Sequence, residues 1–203
     1  SIPNKTTFTE KAGVNSVIID NVNDIDLVMS NLAFSVSLYS GQMCTAPQNF
    51  FIPEKVKTSN GDLTFDEVVA KLQHHINAIT TNPKMGPGTF GAIQNEATLN
   101  RVQSIDKNGK VILQSTAVKN DEFVEARTAS PALLEAISSD KKLFEQELFG
   151  PIAIAIKTTD TKEAVSLAKE MAAKHGAITC AAYSTDQNVI DYISNEMAEV
   201  FTP

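Results

Sequence analysis

Residues 23–53 read NDIDLVMSNLAFSVSLYSGQMCTAPQNFFIP and hold a helix, a turn and a strand in succession. Asn23 or Asp24 caps a helix whose apolar residues Ile25, Val28, Met29, Leu32 and Val36 recur close to every 3.6 positions. That period fades at Ser40-Gly41, where the helix is expected to end. Phe50-Phe51-Ile52, closed by Pro53, is a short apolar run of strand type. Cys44 therefore falls just past the helix, among Gly41, Thr45, Ala46 and Pro47, which are small or turn-forming rather than core-like. Two readings of it stand at this point. One is a small buried hydrophobe; the other is a nucleophile displayed on a tight turn. A nucleophilic thiolate needs access, a lowered pKa and donors for the oxyanion on the attacked carbonyl. A Gly-led turn at a helix end supplies free backbone N–H groups.

The rest of the chain repeats the strand–helix alternation. Val17-Ile18-Ile19 is a β-branched run of buried-strand type, and residues 63–79 form the cleanest helix. Phe65, Val68, Val69, Leu72, Ile76 and Ile79 share one face of that helix, and Thr64 with Glu67 makes a capping box. Residues 82–88 are a turn-rich connector. A helix is expected over 92–105, with strands at 111–113, 123–126 and 151–156. Thr161 opens a helix with Ala164, Val165, Ala168, Met171 and Ala172 inward, closed by Lys174, His175 and Gly176. Residues 177–183 read as a strand, and Asp186 caps a last helix to about Glu196. The pattern predicts an α/β fold with a largely parallel sheet flanked by helices.

Composition narrows the function. The chain has 203 residues, 42% hydrophobic and 20% charged, which suits a soluble globular protein with a sizeable core. A formal net charge of -7 speaks against a nucleic-acid partner. No apolar run approaches the ~18 residues of a spanning helix, so no membrane role is expected. Two cysteines make at most one bridge, and a free thiol in a reducing cytoplasm is the expected setting. The chain does not begin with Met, and residues 199–203 stop as an apolar segment begins; a fragment of a longer protein is expected.

The other candidates for chemistry are weak. Gly86-Pro87-Gly88 is a plain turn rather than a phosphate cradle, because Pro87 removes a donor. His74 and His75 are adjacent on a helix and face different ways, so no metal site is expected. His175 complements a helix C-terminus. Cys180, within Ala177-Ile178-Thr179-Cys180-Ala181-Ala182, belongs to an apolar strand and reads as core.

Three motifs carry a family likeness. Gly41-Gln42-Met43-Cys44-Thr45-Ala46 resembles the G-Q-x-C active-site motif of the aldehyde dehydrogenase superfamily, and Thr9-Glu10-Lys11-Ala12-Gly13 resembles its E-L-G-G motif. The interval from Glu10 to Cys44 is similar to the family's spacing. Glu145-Gln146-Glu147-Leu148-Phe149-Gly150-Pro151 resembles its E-E-[IV]-F-G-P motif, and residues 123–128 sit where the family has a strand ending in F-x-x-P-T. The likeness spans essentially the whole chain. It implies an aldehyde-dehydrogenase catalytic domain over residues 1–203, with Cys44 as nucleophile, Glu10 as general base, Glu147 at the cofactor ribose and Phe149 flanking the nicotinamide.

The implied reaction is oxidation of a small-molecule aldehyde to the acid with NAD or NADP, through a thiohemiacetal and a thioester on Cys44. Ala12 and Val14 depart from the second motif, Gln48 and Asn49 stand where many members have Arg, and Gln146 replaces an acid. The Cys-Thr-Ala-Pro-Gln-Asn run most resembles the phenylacetic-acid-degradation (PaaN-type) members. In the family a dinucleotide-binding domain precedes the E-L-G-G motif, and a segment joining a homo-oligomer follows. Neither is found here, so the chain alone is expected to be inactive as a dehydrogenase. Two rivals remain: a Cys-dependent hydrolase or transferase, and a non-catalytic domain of the same family.

Overall fold

Phe50 and Ile52 point to one side of a strand and Phe51 to the other, and all three are fully buried. A strand apolar on both faces needs a layer on each side, which is the condition for a parallel sheet between helices. The computed structural model describes residues 12–107 and 109–200. Among these, six strands form one sheet: β1 (Ser16–Ile19), β2 (Asn49–Pro53), β5 (Lys110–Leu113), β6 (Ala132–Ile137), β7 (Ile152–Thr158) and β8 (Cys180–Tyr183). Their spatial order is β5-β6-β7-β2-β1-β8. All neighbours run parallel except β5, which pairs antiparallel with β6 at one edge.

Helices α1 (Ile25–Ser37) and α2 (Phe65–Thr81) cover one face, where Met29, Leu32, Val68, Leu72 and Ile76 meet Val17, Ile19, Phe50 and Ile52. The other face carries α4 (Glu96–Gln103), α6 (Thr161–His175) and α7 (Gln187–Ala198), whose Val102, Ala168, Met171 and Ile193 pack on Ile18, Phe51, Ile154 and Ile156. Caps fix the starts: Asp24 for α1, Thr64 with Glu67 for α2, Asn95 for α4, Asp160 for α6 and Asp186 for α7. Among the described residues no helix is long and apolar enough to cross a membrane.

The α/β sheet is as expected, with local differences that have physical causes. Residues 123–126 are not a strand. Phe123 and Val124 are 60% and 73% exposed, and the Asn120 carboxamide oxygen accepts from the Glu122 and Phe123 N–H groups to fold an Asx turn. The strand ahead of the Glu147 motif is β6, whose Ala-Leu-Leu-Glu-Ala-Ile sequence is helix-prone but is held between β5 and β7. A hairpin, β3 (Lys55–Thr58) and β4 (Gly61–Thr64), precedes α2. The 82–88 connector contains the short helix α3 (Met85–Thr89), and the helix expected over 92–105 starts only after the Asn95 cap. The remaining helix, α5 (Lys141–Phe144), is one turn long.

Candidate active site

The segments that carry the motifs all lie just before strands. Gly13 and Asn15 lead into β1, residues 41–48 into β2, residues 145–151 into β7 and residues 177–179 into β8. Parallel pairing puts these four lead-ins along the same amino edge of the sheet.

Helix α1 stops at Ser37, three residues before the expected end, and the chain turns left-handed at Tyr39, Ser40 and Gly41 (φ 51°, 54° and 62°). Such φ values cost a non-glycine residue about 1–3 kcal/mol. Ser40 compensates with its hydroxyl, 3.0 Å from the Gly91 carbonyl and 3.1 Å from that of Ala129. At Gly41 a side chain is excluded outright, since a Cβ would lie 2.5 Å from the Gly150 carbonyl oxygen. The Cys44 motif and the Glu147 motif therefore touch backbone to backbone. Gln42 locks the turn further, donating to the Ala92 carbonyl (2.9 Å) and accepting from the Gln94 N–H (2.9 Å).

Cys44 follows on a second turn, closed by the Ala46 N–H on the Met43 carbonyl (3.0 Å). Its thiol is free and exposed. Among the described residues neither the Cys44 nor the Thr45 N–H has an acceptor. The Asn15 amide donates to the Cys44 (2.7 Å) and Ala46 (3.0 Å) carbonyls from beneath. No histidine bonds Cys44 among the described residues; His75 instead faces Asp26 at 3.4 Å.

The Glu147 loop is braced from the same segment. Gln48, buried four positions after Cys44, accepts from the Leu148 N–H (2.6 Å) and donates to the Gln146 carbonyl (3.0 Å), so it grips both neighbours of Glu147. Asn49, fully buried, donates to the Phe144 carbonyl (2.8 Å). Glu147 Oε1 accepts from the Gly13 N–H at 3.3 Å, and Arg101 donates to the Phe149 carbonyl at 2.8 Å. A cavity of about 20 Å³ lies where Gly13, Asn15, Met43, Gln48, Glu147 and Phe149 converge.

The sequence profile of the aldehyde dehydrogenase family matches residues 3–200. The chain belongs to the aldehyde dehydrogenase family. A crystal structure of an NAD-dependent aldehyde dehydrogenase from Burkholderia multivorans is 39% identical, with a TM-score of 0.90 over 93% of this chain and 34% of that one. The 1-pyrroline-5-carboxylate dehydrogenase of Bacillus subtilis (strain 168) is 26% identical over 81% of this chain and 30% of its own length. The fold is shared with an NADP-dependent glyceraldehyde-3-phosphate dehydrogenase from Bacillus halodurans C-125, solved with NADP, at 20% identity and a TM-score of 0.67 over 94% of this chain and 37% of that one. The chain thus spans about a third of the length of these relatives.

Of the aldehyde-dehydrogenase motif residues, Cys44, Glu147 and Phe149 lie on adjoining loops of one edge, and Glu10 lies outside the described residues. Cys180 is half-buried on the edge strand β8 rather than in the core, and burial pushes its thiol up to about 11. Sequence reasoning missed Asn15, Ser40 and Arg101. Polar residues at the mouth of an apolar strand, as in Asn15-Ser16-Val17, are the one signal by which the first was open to detection.

Proposed function

We propose that the chain is the catalytic domain, residues 1–203, of a larger NAD(P)-dependent aldehyde dehydrogenase that oxidises an aldehyde to a carboxylic acid through Cys44. The observation that carries this is the exposed Cys44 thiol, on a turn whose Cys44 and Thr45 N–H groups have no acceptor among the described residues, against the loop that bears Glu147. The thiolate attacks the aldehyde carbon, and the oxyanion that forms is met by backbone N–H at the turn. NAD or NADP, when bound, accepts the hydride leaving that carbon. The residues present suit such a cofactor. Glu147 is half-buried with Oε1 on Gly13, its second carboxylate oxygen has no partner among the described residues and would meet ribose hydroxyls, and half-buried Phe149 would lie beside the nicotinamide. A thioester remains on Cys44, and Glu10 takes the proton of the water that hydrolyses it.

In the complete protein Glu10→Gln is expected to give a burst of reduced cofactor and then stall, whereas Cys44→Ala gives no burst. Unchanged turnover in Cys44→Ala would overturn the reading. The 203-residue chain alone is expected to form no NAD(P)H, because it spans only about a third of the length of its NAD-dependent relative. From residues 44–49 we extend the substrate class to an aldehyde of phenylacetate or aromatic catabolism, in a cytoplasmic homo-oligomer. Comparing kcat/KM across aromatic and aliphatic aldehydes decides the substrate class.

A further inference from the structure

Asn15 makes more connections at this edge than any residue assigned a chemical role. It is 3% exposed at the mouth of β1. Its Nδ2 donates to the carbonyls of Cys44 (2.7 Å) and Ala46 (3.0 Å), and its Oδ1 accepts from the N–H groups of Ile178 (2.9 Å) and Thr179 (3.0 Å). Its own carbonyl accepts from Gln48 (3.2 Å) and Asn49 (3.1 Å). The Thr179 hydroxyl donates to the Thr45 carbonyl at 3.4 Å. The carbonyls of residues 44, 45 and 46 are thus all held, two of them by one carboxamide.

We propose that Asn15 is the positioning residue of the Cys44 turn, latching it to the lead-in of β8 so that the Thr45 N–H is presented to the attacked carbonyl. The inference rests on the reading of Cys44 as nucleophile. A peptide unit is planar and trans, so a carbonyl fixed inward sends the following N–H outward. Holding the Cys44 carbonyl on Asn15 turns the Thr45 N–H away from Asn15. Only a carboxamide has two donors and an acceptor on one short side chain. Asp in its place keeps the acceptor for Ile178 and Thr179 and loses both donors to the turn.

Two reactions of Cys44 separate positioning from folding. Alkylation by iodoacetamide needs only an accessible thiolate. Acyl transfer from p-nitrophenyl acetate forms an S–C bond to the acetyl carbon as p-nitrophenolate leaves, and it passes through an oxyanion. In Asn15→Asp the acylation rate is expected to fall about tenfold or more while alkylation stays within about threefold. A buried Asp takes up a proton readily and then regains one donor, so the ratio of acylation to alkylation should recover toward acid pH. Amide exchange at Ile178 and Thr179 should stay slow in Asn15→Asp and speed up in Asn15→Ala. Equal acylation by Asn15→Asp and the unmodified chain, with those amides protected, overturns the latch alone. An unmodified chain that is alkylated at Cys44 but never acylated there overturns the nucleophile reading, and the latch with it.

Discussion

The two edges of the parallel sheet are built differently. At the amino edge, the lead-ins to β1, β2, β7 and β8 are tied to one another by the buried amides of Asn15, Gln48 and Asn49. At the carboxyl edge the ties run through less buried groups: the half-buried Asp20 carboxylate accepts from the Thr161 and Ser184 hydroxyls, the Asn21 carboxamide accepts from the Lys57 N–H, and Thr64 with Glu67 and Asp160 cap α2 and α6 locally. A wider hollow of about 280 Å³ lies there, lined by Asp20, Glu54, Lys55 and Asp160. Open α/β sheets usually bind ligands beyond their carboxyl ends. Here the family's motif residues that are described gather at the opposite edge, where buried amides bind four separate segments into one piece. The burial of the connecting carboxamides, rather than the size of a hollow, distinguishes that edge.

The largest contrast should come from the two thiols. Cys44→Ala is expected to abolish acyl transfer from p-nitrophenyl acetate, and Cys180→Ala to leave it intact; p-nitrophenolate release measures both. Loss of the reaction in Cys180→Ala would break the contrast.

Backbone substitutions come next. Gly41 and Gly61 both have positive φ, but a Cβ at Gly41 meets the Gly150 carbonyl at 2.5 Å whereas Gly61 has nothing within 4 Å. Gly61→Ala should lose about 1–3 kcal/mol for conformation alone, and Gly41→Ala about 2–6 kcal/mol once the backbone clash is added. Urea titration of both reads the difference, and equal losses would show that the two motif loops do not meet as closely as described.

Cys180 gives a smaller, pH-dependent effect. Its folded-state pKa is raised from 9.0 to about 11 by burial, so the folded chain keeps a proton that the unfolded chain releases. Stability from this thiol is complete below pH 9 and is lost as pH rises toward 11, by about 2–3 kcal/mol in all. The unmodified chain should therefore lose more stability over that window than Cys180→Ala. Parallel curves would mean that the thiol is not buried. The smallest effect belongs to the carboxyl edge: Thr64→Ala should cost about 1 kcal/mol through its lost cap. Its Cys44 alkylation rate should match that of the unmodified chain.

Much of the layered fold was legible because both periods were strong. The 3.6-residue stripe of α2 and the apolar runs of β1, β2 and β7 each have one solution. β6 was not legible, since Ala-Leu-Leu-Glu-Ala-Ile satisfies a helix as well as a strand and only its neighbours decide. Residues 123–126 misled for the converse reason: Phe and Val suggest a strand, while Asn120 folds the segment locally. Cys44, Glu147 and Phe149 were singled out by their motifs, and the fold sets them on adjoining loops. Asn15 and the left-handed turn at residues 39–41 were not legible, because their partners Ile178, Thr179, Gly91 and Ala129 are distant in sequence.

Brief exposure of the native chain to iodoacetamide, followed by peptide mapping, tests the amino-edge site most directly. Cys44 should carry the label to completion before Cys180 is measurably modified at neutral pH, since one thiol is exposed and the other is held protonated by burial. Label appearing first on Cys180 would contradict the assignment of the nucleophile.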